Sequence, residues 1–182
     1  MKPSLSSNSE PLCYSRLDSP LGVLQLGWRE RVLESLRLPG DPLVDPESDC
    51  ADEAAWMPAP AWLEQELQAY FRDARHVFAL QVAVTGTAFQ QRVWQRLRQI
   101  PPGQLCTYGA LAAELSTSAR ALGQACRANP CPIVVPCHRV VAKTGLGGFA
   151  GATHRDLSQR AKLDMKAWLL RHEGVALEAR HA

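Results

Sequence analysis

Between Tyr14 and Leu38, apolar and polar positions alternate in short runs broken by turn residues, the pattern of half-buried strands. Ser19-Pro20-Leu21-Gly22 predicts a first turn and Arg29-Glu30-Arg31 a second, so that 23–26 and 32–38 pair as a hairpin or meander. Residues 39–60 carry Pro39, Pro42, Pro46, Pro58 and Pro60 among acidic residues and predict a long surface loop. Beyond Ala61 the pattern changes period: Leu63, Leu67, Tyr70 and Phe71 fall at i, i+4, i+7 and i+8, which puts them on one face of an amphipathic helix. Residues 77–84 predict a further strand.

Thr85-Gly86 marks a boundary. Thr87, with Gln90 three residues on, has the spacing of a capping box, and Phe89, Val93, Leu97 and Ile100 then line one helix face until Pro101-Pro102-Gly103 ends it. Thr107 opens a short helix carrying Leu111, Ala112 and Leu115; after Ser116-Thr117-Ser118, Ser118 caps another over 119–128, which Asn129-Pro130 stops. Two short helices joined by a tight turn predict a helix-turn-helix with the second as the reader. The expected organisation is therefore α+β: a small sheet-plus-helix domain over 1–84, containing the acidic Pro-rich loop 39–60, then a helix-turn-helix domain over 85–182.

Charge divides at the same place. Residues 1–88 hold seven Lys/Arg against thirteen Asp/Glu, while residues 89–182 hold thirteen against five, so a near-neutral total conceals an acidic half and a basic half. Within 89–143, Arg92, Arg96, Arg98, Arg120, Arg127, Arg139 and Lys143 face the single acid Glu114. A one-sided basic half is what a polyanion surface needs, although an ordinary solvated basic face has the same composition. On the reader helix, Arg120, Gly123, Gln124 and Arg127 share a face at i, i+3, i+4 and i+7, with Ala121 and Ala125 beside it. That face is small, polar and basic together, which lets a backbone approach another surface closely. The first residues have no apolar signal core, no stretch reaches a membrane span, and the six irregularly spaced cysteines read as reduced thiols. A cytoplasmic chain is expected, associated with the nucleoid if bacterial or nuclear if eukaryotic.

The chemistry concentrates at Pro136-Cys137-His138-Arg139, after an apolar run, Ile133-Val134-Val135, that reads as a buried strand. Thiolate is the reactive form of cysteine, and an adjacent base or cation lowers the cost of making it. Strand neighbours point to opposite sides, so Cys137 and His138 meet only if the chain turns sharply or a water bridges them. A further group must then hold the imidazole, and Glu173, near the end of a C-terminal helix, can do so. An inert buried thiol fits the dipeptide equally well. Zinc on Cys126, Cys131, Cys137 and His138 fits poorly, because their gaps depart from paired ligand spacing. A cysteine hydrolase needs the same residue types, usually from distant segments.

Read together, Gly86-Thr87-Ala88-Phe89-Gln90, Val93-Trp94, Ile100-Pro101-x-Gly103, Thr107-Tyr108-Gly109, Ala119-Arg120-Ala121-Leu122-Gly123, Asn129-Pro130, Ile133 to Val141 and Trp168-Leu169-Leu170-x-x-Glu173-Gly174 occur in one order. The chain resembles the O6-alkylguanine-DNA alkyltransferases, strongly over 85–174 and diffusely over 10–84. The resemblance implies a winged-helix-like C-terminal module that enters the minor groove of alkylated double-stranded DNA and extrudes the damaged base. It implies direct, single-use transfer of the alkyl group from O6-alkylguanine, with O4-alkylthymine as a second substrate, and no metal or organic cofactor. Carried over by position, Cys137 accepts the alkyl group, activated through water by His138 with Glu173 behind it. Tyr108 rotates the nucleotide and protonates the departing guanine, Asn129 orients the turn, and Arg120 takes the flipped nucleotide's place. Ala121, Gly123, Gln124 and Arg127 contact DNA; Val140, Gly148, Phe149 and Ala150 line the base pocket. The protein is then a monomer in solution able to cooperate on DNA.

Two departures from the family pattern stand out. Phe149 falls where many members have tyrosine, and residues 153–163 read as an insertion serving as a surface loop, a lid or an extra DNA contact. Two rivals remain: an alkyltransferase-like protein that only flags lesions, whose members lack the cysteine, and a helix-turn-helix regulator, for which the chain offers no evident effector domain.

Overall fold

A computed structural model of the chain describes residues 12–41, 56–83, 85–150 and 160–177. Strands β1 (Cys13–Ser19), β2 (Gly22–Arg29) and β3 (Val32–Arg37) form the expected antiparallel meander, with Leu17 opposite Leu24 and Leu26 opposite Leu36. Leu24 and Leu26 share one buried face at the strand period of two; Leu33 and Leu36, three apart, are both buried across a register shift in the ladder between Gly27 and Trp28. Helix α1 (Ala61–Arg72) presents Leu63, Leu67 and Tyr70 as its buried stripe. Of the expected strand over 77–84, only β4 (Gln81–Val82) forms, parallel to β3; Val77 is largely exposed, and two residues are all that the ladder holds.

Helix α2 (Ala88–Leu97) begins at Thr87 with the reciprocal capping box that the sequence predicts. The two-residue strands β5 (Cys106–Thr107) and β6 (Val140–Val141) pair in parallel and bracket the helix pair α3 (Tyr108–Glu114) and α4 (Ala119–Arg127). Thr107 and Ser118 cap α3 and α4 through backbone N–H groups of Ala110 and Ala121. Trp94 on α2 donates its indole N–H to the Ala125 carbonyl (2.9 Å), fixing α4 against α2. Helix α5 (Arg160–His172) closes the structure. A single core cluster joins leucines of the sheet to Val93, Trp94, Leu122, Cys137 and Leu169, so sheet and helix pair share one interior.

One expectation is corrected. Residues 133–135 are not a strand. They turn: Ile133 has φ 75°, the Val135 N–H returns to the Cys131 carbonyl (2.8 Å), and Cys137–Arg139 is a 3₁₀ turn. Pro132 and Pro136, which have no N–H to give a ladder, sit on either side. Of the insertion expected over 153–163, residues 160–163 form the first turn of α5, and 153–159 lie outside the described residues, as do 42–55 of the expected acidic loop.

Candidate active site

Asn129 organises the turn that carries the thiol. It stands just past the end of α4, and its amide Nδ2 donates to the Val135 carbonyl (2.8 Å) and to Cys137 Sγ (3.2 Å). Its Oδ1 accepts from the Cys131 N–H (3.1 Å). From the outside, the Leu36 N–H of β3 donates to the Pro130 carbonyl (2.8 Å), so the sheet holds the same turn. Because the chain turns, Cys137 and His138 escape the opposite-face rule of a strand and both lie buried.

Behind His138 is an ionic hub. Glu173 follows the end of α5, and its Oε1 accepts from His138 Nε2 (2.8 Å), Arg139 Nη2 (2.8 Å) and the Tyr70 hydroxyl (2.8 Å). Its Oε2 accepts from Arg139 Nε (3.0 Å) and the Gly103 N–H (3.4 Å). Burial opposes charge on Glu173, but the His138 and Arg139 hydrogen bonds outweigh it and hold the carboxyl below the usual range. A carboxylate partner fixes the tautomer: Nε2 carries the proton, leaving His138 Nδ1 as a bare lone pair with no protein partner among the described residues. Burial also depresses the His138 imidazole, against the pull of Glu173, so the ring is neutral at pH 7.

In front of the thiol is a cavity of about 450 Å³. Tyr108, Arg120, Gly123, Gln124, Arg127, Cys137, Gly148, Phe149 and Ala150 line it, together with Cys126 and the small residues Ala119, Ala142 and Gly147. Gly147 is required there. Its φ is 72°, and a Cβ would stand 3.0 Å from the Ala142 nitrogen and 3.1 Å from the Tyr108 ring. A second cavity of about 230 Å³ reaches Cys137 from the sheet side and is lined in part by Asn129, Arg127, Arg37, Asp41 and Ala150. Of the site residues anticipated from sequence, four line neither cavity: His138 and Glu173 lie in the hub behind the thiol, and Ala121 and Val140 are absent from both linings. The Val140 carbonyl accepts from Lys166 Nζ.

Four participants went unread in the sequence: Tyr70, Arg139 as a partner of Glu173, Gly103 and Lys166. Lys166 is fully buried on α5 and donates to the carbonyls of Val140 (2.6 Å), Leu146 (2.6 Å) and Gly148 (2.9 Å), pinning the loop that walls the cavity. Burial brings its ammonium down to about 8, against the opposing influence of Cys137 and Cys126. The Tyr108 hydroxyl donates to the Gly148 carbonyl (3.2 Å), and burial holds its phenol above the usual range and therefore protonated. Burial pushes the Cys137 thiol up, while the Asn129 hydrogen bond and the Lys166 charge work to bring it down. The site therefore holds a neutral thiol, a free base position and a proton-bearing phenol around one cavity. That set suits nucleophilic attack by sulfur with proton delivery to a leaving group. Among the described residues no group of three or more His, Cys, Asp or Glu is placed to hold a metal ion, and no helix is long and apolar enough to cross a membrane.

The described elements from α2 to α5 match a family model, 6-O-methylguanine DNA methyltransferase, DNA binding domain, over residues 88–175. The class is thus that of a DNA-binding methyltransferase domain with a buried thiol beside a basic helix. Among relatives, a methylated-DNA–protein-cysteine methyltransferase of Salmonella typhimurium is 48% identical over 122 residues, 65% of this chain and 66% of its own length. The constitutive enzyme of that name from Bacillus subtilis is 37% identical over 167 residues, 90% of this chain and 96% of its own length. The crystal structure of the Mycobacterium tuberculosis O6-methylguanine methyltransferase aligns with a TM-score of 0.70 at 32% identity, covering 93% of this chain and 96% of that one. A structure of the M. tuberculosis OGT in complex with DNA aligns at 0.68 and 33%, over 88% and 92%. The chain belongs to the methylated-DNA–protein-cysteine methyltransferases, a family of enzymes.

Proposed function

We propose that this protein repairs alkylated duplex DNA by moving the alkyl group from O6 of guanine onto Cys137 Sγ, once per molecule. The observation that carries this reading is the juxtaposition at one turn: a buried thiol, an imidazole whose only committed nitrogen is the one facing Glu173, and a cavity walled by the basic face of α4. The thiol proton passes through a water to His138 Nδ1, sulfur attacks the alkyl carbon, and the C–O bond breaks as the C–S bond forms. Tyr108 supplies a proton as guanine departs neutral, and the imidazolium gives up its proton through water to restore the Tyr108 phenol. A thioether has no return step, so the acceptor is consumed.

The α3–α4 pair acts as the winged-helix-like reader of residues 85–182, with residues 1–84 as a supporting N-terminal domain. Arg120, Gln124 and Arg127 are exposed on the cavity side of α4, which favours entry by the small-residue face, Arg120 standing in for a nucleotide rotated out of the stack. Ala121 touches DNA along the same helix. O4-alkylthymine fits the same chemistry as a slower substrate.

The test is intact-protein mass after incubation with a duplex carrying one O6-methylguanine. The expected gain is one methylene per chain and never two, with guanine restored in the DNA. An unchanged mass, or repeated repair per molecule, contradicts the reading. The flagging and regulator readings lose ground because Cys137 is present and the DNA surface opens onto it.

A further inference from the structure

We propose that Asp41 and Lys162 form a clasp that positions the outer wall of the nucleobase pocket for alkyl transfer; the inference rests on the role of Cys137 given above. Ala150, with Cys126 and Arg127, lines both cavities that reach Cys137. Its φ is 47°, in the left-handed region that a side-chain-bearing residue enters at a cost. Such a conformation persists only where its surroundings impose it. Here the imposing contact comes from Lys162, whose Nζ donates to the Ala150 carbonyl (3.1 Å) and, on its other side, to Asp41 Oδ1 (2.5 Å).

Each end of the clasp is itself fixed. Lys162 stands in the first turn of α5, four residues before the buried Lys166 that pins Val140, Leu146 and Gly148. Asp41 Oδ2 accepts from the Leu38 N–H (2.9 Å), while the Asp41 N–H donates to the Leu38 carbonyl (3.0 Å), which locks the carboxylate in the turn after β3. Both side chains are 18% exposed, so the pair is partly withdrawn from solvent and from screening. The two lysines of α5 thus divide the loop between them: Lys166 holds its inner part, and Lys162 its lip, through a residue of the N-terminal sheet region. A lysine reserved for phosphate contact would leave its ammonium in solvent; this one is spent on a carboxylate and a carbonyl.

The experiment compares the single-turnover rate of methyl transfer at saturating lesion duplex with affinity for undamaged duplex. Lys162→Met is expected to slow transfer about tenfold, the scale of a small misplacement of a reacting group, with affinity unchanged within twofold. Lys162→Arg, which keeps the donor, retains most of the rate, and Asp41→Asn, which leaves Lys162 in place, loses about threefold. Adding Ala150→Gly to Lys162→Met removes the conformational cost at residue 150 and recovers the rate to within threefold of wild type. A Lys162→Met chain that transfers at the wild-type rate, or that loses salt-dependent DNA affinity instead of rate, overturns the clasp, as does a double variant as slow as the single. If the wild-type chain gains no methyl, the reading of Cys137 falls first and the clasp with it.

Discussion

His138 stands between two polar clusters built to opposite rules. On its Nε2 side, Glu173 takes donors from His138, Arg139, Tyr70 and Gly103, contributed by three separate stretches of chain. On its Nδ1 side, the ring nitrogen has no protein partner among the described residues, and Cys137 Sγ receives only the Asn129 amide. Satisfied buried networks make a fold rigid and unique, whereas an unsatisfied buried acceptor must be explained. Under the proposed function the explanation is division of labour: the complete cluster holds the imidazole in one tautomer and orientation, and the incomplete one keeps a base position open for chemistry.

Breaking each side should therefore have different consequences. The largest effect on chemistry is at Cys137→Ser, which should abolish methyl transfer while leaving the melting temperature within a few degrees and duplex affinity intact; any residual transfer by this variant would separate Cys137 from the reaction. The largest effect on the fold is at Glu173→Gln. Arg139, with a side chain 7% exposed, then keeps its charge without a countercharge, a loss on the order of 3–5 kcal/mol. In a chain of this size, that lowers the melting temperature by about 10 °C, and transfer falls with it because the imidazole is released.

Acid sharpens the same contrast. The folded pKa values of His138 and Glu173 both lie below their ordinary values of 6.5 and 4.5, so the unfolded chain binds more protons than the folded one as pH falls. Stability is expected to hold above about pH 6.5, to decline below it as unfolded histidine protonates, and to fall further below about 4.5. Chemical denaturation across that range checks the sign; greater stability at pH 5 than at pH 7.5 would contradict it. In the opposite direction, transfer should quicken as pH rises above neutrality, because burial keeps the Cys137 thiol protonated there.

Asn129→Ala is smaller. It removes the donor to Cys137 Sγ and orphans the Cys131 N–H, while the Val135 carbonyl keeps the Cys137 N–H; the cost is about 1–3 kcal/mol, and transfer slows because the thiol rises further. Arg120→Ala should be mildest for the fold. The residue is exposed, so the melting temperature stays put while transfer from duplex slows.

Which parts were readable beforehand follows from how local their causes are. Caps at Thr87, Thr107 and Ser118, the meander turns and the one-face spacing on α4 depend on residues within a few positions of each other, and the sequence displays them directly. Ile133-Val134-Val135 reads as a strand for a good reason, three apolar β-formers in a row, yet tertiary ties from Asn129 and the flanking prolines override that propensity. Tyr70 sits on the apolar stripe of α1 as patterned, but its hydroxyl partner lies 103 residues away, beyond the reach of any period. Lys166 is invisible for another reason: lysine is read as solvated, and only the convergence of three backbone carbonyls makes its burial tolerable. The residues proposed to carry the chemistry stand in sequence motifs; the residues that hold them in place are visible only in the geometry.

The most direct measurement is to map the methyl group by tandem mass spectrometry of peptides from the wild-type protein after reaction with lesion duplex. Six cysteines are available, and burial pushes the thiol of Cys131 to about 12 and that of Cys126 above the usual range. The account predicts methyl on Cys137 alone, one per chain. Methyl on any other sulfur, or shared among several, would contradict it.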